Sequence, residues 1–178
     1  MDLARHCELC DNQKINLEVG TTCGLTEQKP EFNKTCSKIE LNEKFENKLK
    51  SVNIEYENIK RKKTLTHIYF AVFLLIGIAV IVGGYLLGKY AFNKRVISTV
   101  PIIIMGAGLA PLGLAFGTLN NFRQSIQVAK NKKDKIDEVL NEYRIEYEID
   151  ITFGEEIHGT QEVHAKLKTK GINSSVIT

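Results

Sequence analysis

Two runs of sequence decide the fold: His67–Gly88, HIYFAVFLLIGIAVIVGGYLLG, and Val96–Thr118, VISTVPIIIMGAGLAPLGLAFGT. Neither contains Asp, Glu, Lys or Arg. Each is roughly 22 residues long, and at ~1.5 Å per residue such a helix reaches ~33 Å, enough to cross a hydrocarbon core of ~30 Å. The pair predicts a transmembrane hairpin over residues 66–119, with spans at about 67–88 and 96–118. No Trp is available as an interfacial anchor, so Tyr69, Tyr85 and Tyr90, near the ends of the first span, take that place. The opening MDLARHCELC has no basic stretch leading into an apolar one, so both spans are expected to remain in the mature protein.

Basic residues outside the runs set the expected orientation. Lys60, Arg61, Lys62 and Lys63 precede the first span; Arg123, Lys130, Lys132, Lys133 and Lys135 follow the second; Lys89, Lys94 and Arg95 lie between them. The excess on the outer flanks favours both termini in the cytoplasm. The expected location is a bacterial inner (cytoplasmic) membrane, crossed twice. The same clusters are able to hold anionic lipid headgroups at ~1 kcal/mol per basic residue. They lie against the membrane without interleaved aromatics, so no nucleic acid is expected as a partner.

The flanking segments 38–65 and 120–144 read as polar helices. Phe45, Leu49, Val52, Tyr56 and Ile59 recur at heptad spacing before the membrane; Ile126, Ala129, Lys133, Ile136, Leu140, Tyr143 and Tyr147 do so after it. The hairpin between them makes an antiparallel coiled-coil stalk the economical expectation. Two amphipathic helices packed on something else is the alternative. Glu40 with Lys44, and Glu46 with Lys50, are expected i,i+4 pairs. Beyond Tyr143 the period falls to two. Ile145, Tyr147, Ile149, Ile151 and Phe153 alternate with acidic residues and Thr152, and Val163, Ala165 and Leu167 alternate with lysines. A β-hairpin with strands at about 145–153 and 161–168 is predicted within a β element at 145–170. Two strands alone are marginal in water, so this one needs a partner, with the cysteine module as the first candidate. The tail 171–178 reads as disordered.

All four cysteines fall within residues 1–37: Cys7, Cys10, Cys23 and Cys36, spaced C-x2-C-x12-C-x12-C. Two thiolates in a CxxC pair can grip one metal ion, and two more complete a tetrahedron. So short a segment cannot fold around its own apolar residues, and a metal would supply the missing stability. Ile15, Leu17, Leu25 and Phe32 are the side chains expected to pack around it. In a reducing cytoplasm the expected cofactor is structural zinc, bound by Cys7, Cys10, Cys23 and Cys36. An iron–sulfur cluster is the second option. A redox role for the CxxC pair would leave Cys23 and Cys36 without a part. In the opposite orientation, two disulfides with three possible pairings take over. His6 reads as a neighbour of the cluster rather than a ligand.

The run CELCDNQKINLEVGTTCGLTEQKPEFNKTC resembles the small four-cysteine, zinc-ribbon-like modules at the N-termini of small Bacteroidota membrane proteins. The resemblance rests on the CxxC pair, the T-C-G-L-T turn and the K-P-x-F-x-x-x-C ending. It implies metal binding by Cys7, Cys10, Cys23 and Cys36, and no activity. Only the first knuckle carries a paired CxxC, where other zinc ribbons often carry two.

The spans are rich in small residues: Gly84 with Gly88, Gly113 with Gly117, and Gly106 with Ala110. These suit close helix packing, either between the two spans or in a homo-oligomer. Pro111 is expected to kink the second span. With no ionisable residue inside either span, a proton-coupled transporter is disfavoured. No P-loop or HExxH motif is present, and Gly106-Ala107-Gly108 lacks the third glycine and the preceding strand of a dinucleotide loop. His158 and His164, with Glu155, Glu156 and Glu162, read as solvated strand ends. The expectation is a mainly α membrane protein and no enzyme: a scaffold or tether that presents a zinc-bound module to a cytosolic partner. An oligomeric pore-forming effector is the alternative, with pore-lining Ser98 and Thr99. An iron–sulfur electron carrier is the second alternative.

Overall fold

A computed structural model of the chain describes residues 3–90, 99–157 and 160–170. Lys94, Arg95, Ser98, His158, Gly159 and the tail 171–178 lie outside these. The described elements run α1 (Ala4–Glu8), β1 (Gln13–Asn16), β2 (Gly20–Cys23), α2 (Glu43–Arg61), α3 (Lys63–Tyr90), α4 (Thr99–Ala107), α5 (Leu109–Glu142), β3 (Glu146–Ile157) and β4 (Thr160–Lys170). The chain is mainly helical with two small antiparallel hairpins, β1–β2 and β3–β4. It divides into two compact units, residues 1–57 with 129–178 and residues 58–128.

The first unit is built on a helical core. Phe45, Leu49 and Val52, one face of α2, pack with Ile136, Val139 and Leu140 of α5 and with Leu9, Leu41 and Ile145. Burying each such side chain contributes ~1.5–3 kcal/mol. Phe45, Leu49, Val52, Ile136 and Leu140 of the predicted rows lie in this core, Tyr56, Ile59 and Ile126 do not, Val139 joins it from outside the row, and α2 begins at Glu43 rather than at 38. Lys133, which falls in the α5 row, sits in a polar cluster. Its Nζ donates to Asp137 Oδ2 (2.7 Å) and Tyr147 OH (2.6 Å), and the Tyr147 hydroxyl donates to Asp137 Oδ1 (2.7 Å). Asn53, 3% exposed, donates to Leu49 O at 2.9 Å beside it. Burial works to lower the Lys133 pKa, but the bonds to Asp137 and Tyr147 outweigh it and raise it. A half-buried charge with such partners in place is tolerated.

β3 and β4 pair in register over Glu146↔Lys170 to Phe153↔Val163, with an irregularity between Phe153 and Glu156. One face is half-buried: Ile149 opposite Leu167, Ile151 opposite Ala165. The exposed face sets Glu146, Glu148 and Asp150 opposite Lys170, Lys168 and Lys166. Opposite charges in direct cross-strand register are stabilising. Tyr147 and Leu167 pack against the α2–α5 core, so the partner this hairpin finds is chiefly helical.

The second unit contains the apolar helices. Two helical stretches, Glu43–Tyr90 and Thr99–Glu142, are long and apolar enough to cross a membrane. Their most apolar windows are only 11% and 17% buried, unlike the core helix of a soluble protein. Leu75 and Ile103 are 67% and 65% exposed. The second stretch breaks at Gly108, between α4 and α5. Pro111 explains the position, since it has no N–H for the carbonyl of Ala107 and its ring clashes there. The Gly108 N–H is shared between Ile104 O (3.3 Å) and Met105 O (3.1 Å), closing α4.

The glycines divide by face. A Cβ at Gly77 would lie 2.6 Å from Leu112 Cδ2, one at Gly84 2.9 Å from Met105 Cγ, and one at Gly108 2.7 Å from Ile81 Cγ1. These positions hold α3 against α4 and the start of α5. Gly106, Gly113 and Gly117 have nothing within 4 Å of an added Cβ among the described residues. Gly84 and Gly113/Gly117, equivalent small-residue signals in sequence, thus face opposite ways.

Candidate metal centre

The four cysteines come from three local structures. Cys7 lies in the single turn and a half of α1, and Cys10 follows it. The Cys10 N–H donates to Cys7 O (3.1 Å), and the Gln13 N–H donates to Cys10 O (3.2 Å). Cys23 ends β2, where the β1–β2 register sets it opposite Gln13. The short hairpin thus returns the third thiol to the first pair. The return depends on Gly24, whose N–H donates to Asn12 O at 2.6 Å and whose added Cβ would lie 2.9 Å from that oxygen. Cys36 is held in its loop by its own N–H, which donates to the Tyr143 hydroxyl at 2.8 Å.

All four line one cavity of about 20 Å³, together with His6 and Asn12. That is the space of about one water-sized sphere. None is in a disulfide. Cys7, Cys23 and Cys36 also face a wider opening of about 300 Å³ beside Pro30 and Phe32.

The thiols are not equivalent. Burial pushes the Cys7 thiol up to about 11, and the neighbouring Cys10, Cys23 and Cys36 add to the rise. The Leu25 N–H, aided by the N–H and hydroxyl of Thr26, lowers the Cys23 thiol. Cys10 Sγ accepts the Glu40 N–H at 3.4 Å. Backbone donors of this kind favour thiolate. Asn12 Nδ2 is a buried donor with no partner among the described residues, and Asn12 lines the same cavity.

His6 is 2% exposed, with Nδ1 3.1 Å from the Tyr143 hydroxyl and its ring edge-to-face with Phe32 (5.2 Å) and Tyr143 (5.5 Å). Burial lowers its pKa, so it is neutral at pH 7. It ties α1 to the end of α5.

Four sulfur donors facing one small cavity, with backbone N–H groups aimed at two of them, suit a thiophilic cation such as zinc in kind and in number. Among the described residues no three His, Cys, Asp or Glu side chains stand together as a ready ligand set. The thiols share a cavity without forming a closed tetrahedron.

The surroundings differ from the sequence reading in two ways. Ile15 and Leu17 are 75% and 102% exposed, and Leu25 is exposed as well. Of the four expected packing residues, Leu25 and Phe32 line the wider opening beside the thiols, and Phe32 alone meets the buried His6 ring. The apolar contacts of the module are made by Leu9, Ile39 and Leu41. Lys44, expected to pair with Glu40, instead donates to Cys10 O (3.0 Å) and Gln13 Oε1 (2.6 Å), which ties α2 to the first knuckle. The expected Glu46–Lys50 pair forms at 2.8 Å. No sequence signal marked Tyr143 beyond its place in the heptad row.

Elsewhere, Glu162 and His164 stand 4.0 Å apart, both largely exposed, and form no enclosed site. Three comparisons complete the description: no family model, no curated protein and no solved structure matches this chain.

Proposed function

We propose that this chain is a non-catalytic integral membrane scaffold of the bacterial inner membrane, with both termini in the cytoplasm. The apolar helices thread the bilayer, and α2 and α5 extend from them as an antiparallel coiled-coil stalk. Cys7, Cys10, Cys23 and Cys36 hold one zinc ion. The metal supplies a cross-link between α1, β2 and the Cys36 loop. The head so formed is the surface offered to a cytosolic partner protein, and the basic flanks take anionic lipid headgroups.

The observation that carries this reading is the continuity of α5. One helix, Leu109–Glu142, has apolar turns at its start and turns at its end whose Ile136, Val139 and Leu140 belong to the head core. A scaffold that couples a bilayer segment to a folded head needs such an element. Metal analysis and mass measurement of the detergent-purified full chain test it. One zinc per chain in a defined multimer is expected. Metal-free monomer sinks the reading, and a brown, iron-containing protein replaces it with the electron carrier.

An oligomeric pore is the second reading. It is favoured by Gly106, Gly113 and Gly117, which have open space on their face of α4 and α5 and would let a second copy approach closely. Release of trapped dye from liposomes carrying the protein selects the pore; intact vesicles select the scaffold.

A further inference from the structure

The first unit has a second cavity, apart from the cysteines, between α1, α2 and α5. Its volume is about 280 Å³. Leu9, Val52, Ile136 and Val139, all core side chains, form its apolar floor. Arg5, Lys48, Lys132 and Lys135 stand at its wall, against a single carboxylate, Glu8.

Two of the four cations are already engaged. Arg5 meets Glu138 at 3.4 Å, and Lys132 meets Glu55 at 2.7 Å. Lys48 and Lys135 have no carboxylate within ion-pair distance among the described residues. The sequence explains why. The residues one turn either side of Lys48 are Lys44, Phe45, Ser51 and Val52, and Lys44 is committed to Cys10 O and Gln13. Among the residues three or four positions from Lys135 the one carboxylate is Glu138, which Arg5 takes, and Asp137 is committed to Lys133. In a chain with 21 acidic residues, two lysines stay unneutralised over one apolar floor.

We propose that this groove binds a free single-chain amphiphile with an anionic headgroup, a phosphate monoester or a carboxylate. Lys48 and Lys135 take the headgroup. The aliphatic chain covers Leu9, Val52, Ile136 and Val139. The volume lies at the lower edge of the ~300–1,000 Å³ of ordinary ligand pockets, which suits one short chain and excludes the two tails of a phospholipid. Cations that have no partner lose less on meeting an anion than cations that must first leave one. An apolar floor adds ~25 cal/mol per Å² covered, which an inorganic ion cannot gain.

The test uses the full chain in nanodiscs of zwitterionic lipid, titrated calorimetrically with octyl phosphate against empty nanodiscs. Saturable binding is expected in excess of the empty discs. Inorganic phosphate and 1-octanol should each bind at least about tenfold more weakly, since each offers half of the recognition. Lys48→Glu with Lys135→Glu should weaken octyl phosphate by about tenfold or more. Lys48→Gln with Lys135→Gln should show a smaller loss in the same direction. Lys166→Glu, on β4 and outside the groove, should leave binding unchanged. Circular dichroism melting checks that each variant is folded. The proposal is overturned if the double variants bind like the parent, if inorganic phosphate binds as well as octyl phosphate, or if Lys166→Glu has the same effect.

Discussion

The two hairpins are the same motif held by different means. β3–β4 is 12 and 11 residues long and carries its reasons in its side chains: an alternating half-buried face, a face of opposed charges, and Tyr147 and Leu167 seated on the helical core. β1–β2 is four residues a side, and its hydrophobic residues Ile15 and Leu17 point into solvent. It stays closed through backbone bonds and through Gly24 against Asn12. Side-chain pairing is distributed, so single losses are small. A hairpin that closes on one point fails all at once.

Metal chemistry gives the largest expected effects. At pH 8, without metal, Cys23 should be alkylated faster than Cys7, because backbone donors lower its thiol while burial pushes that of Cys7 up to about 11. Both rates climb with pH, and Cys23 reaches its plateau first. Mass mapping of the labelled peptides reads the order, and equal rates would erase the distinction between the thiols. Chelation of the zinc-loaded chain should then abolish hydrogen-exchange protection over residues 4–38 while β3–β4 keeps its own. Structural zinc contributes on the order of 10 kcal/mol to such modules. Simultaneous loss in both hairpins would show that they share one support.

Leu49→Ala, in the core beneath β3–β4, should destabilise the head by ~2–5 kcal/mol in thermal or denaturant unfolding. Gly24→Ala should cost ~1–3 kcal/mol, because the new Cβ has a backbone oxygen at 2.9 Å that cannot step aside. A neutral result at Gly24 would mean that the closure of β1–β2 does not depend on that approach. The smallest effect belongs to the charged face. Lys168→Glu, opposite Glu148, should cost only ~0.2–1 kcal/mol, and Glu148→Lys placed with it should recover most of that. A double-mutant cycle on melting temperature reads the pair.

What the chain disclosed in advance follows the same division. Long apolar runs, heptad rows and strict alternation are periodic, and they led to α3, to the buried faces of α2 and α5, and to β3–β4 with its facing strand. Pro111 located the break at Gly108. The four cysteines were visible from spacing alone, and all four line one cavity, although no three of them stand together as a ligand set among the described residues. The second contacts around them were not. Tyr143 reaches Cys36 and His6 from more than a hundred residues away, and Lys44 passes over Glu40 for a carbonyl. Neither choice follows from any local period. Ile15 and Leu17 turned outward because a four-residue hairpin encloses no volume, whereas Leu9, between the first two cysteines, reaches the helical core. The glycine pairs gave no hint of which faced inward, since that depends on where Gly108 lets α3 approach.

The bond from Cys36 to the Tyr143 hydroxyl spans 107 residues, and both apolar segments lie inside that interval. During synthesis the cysteines leave the ribosome long before the phenol that braces them, and before the α5 turns that make the core. The N-terminal segment must therefore wait for its brace while both apolar stretches are made. Biogenesis of this protein then has a fixed order: the cysteine segment first, both apolar stretches next, and the closing of the first unit's core last.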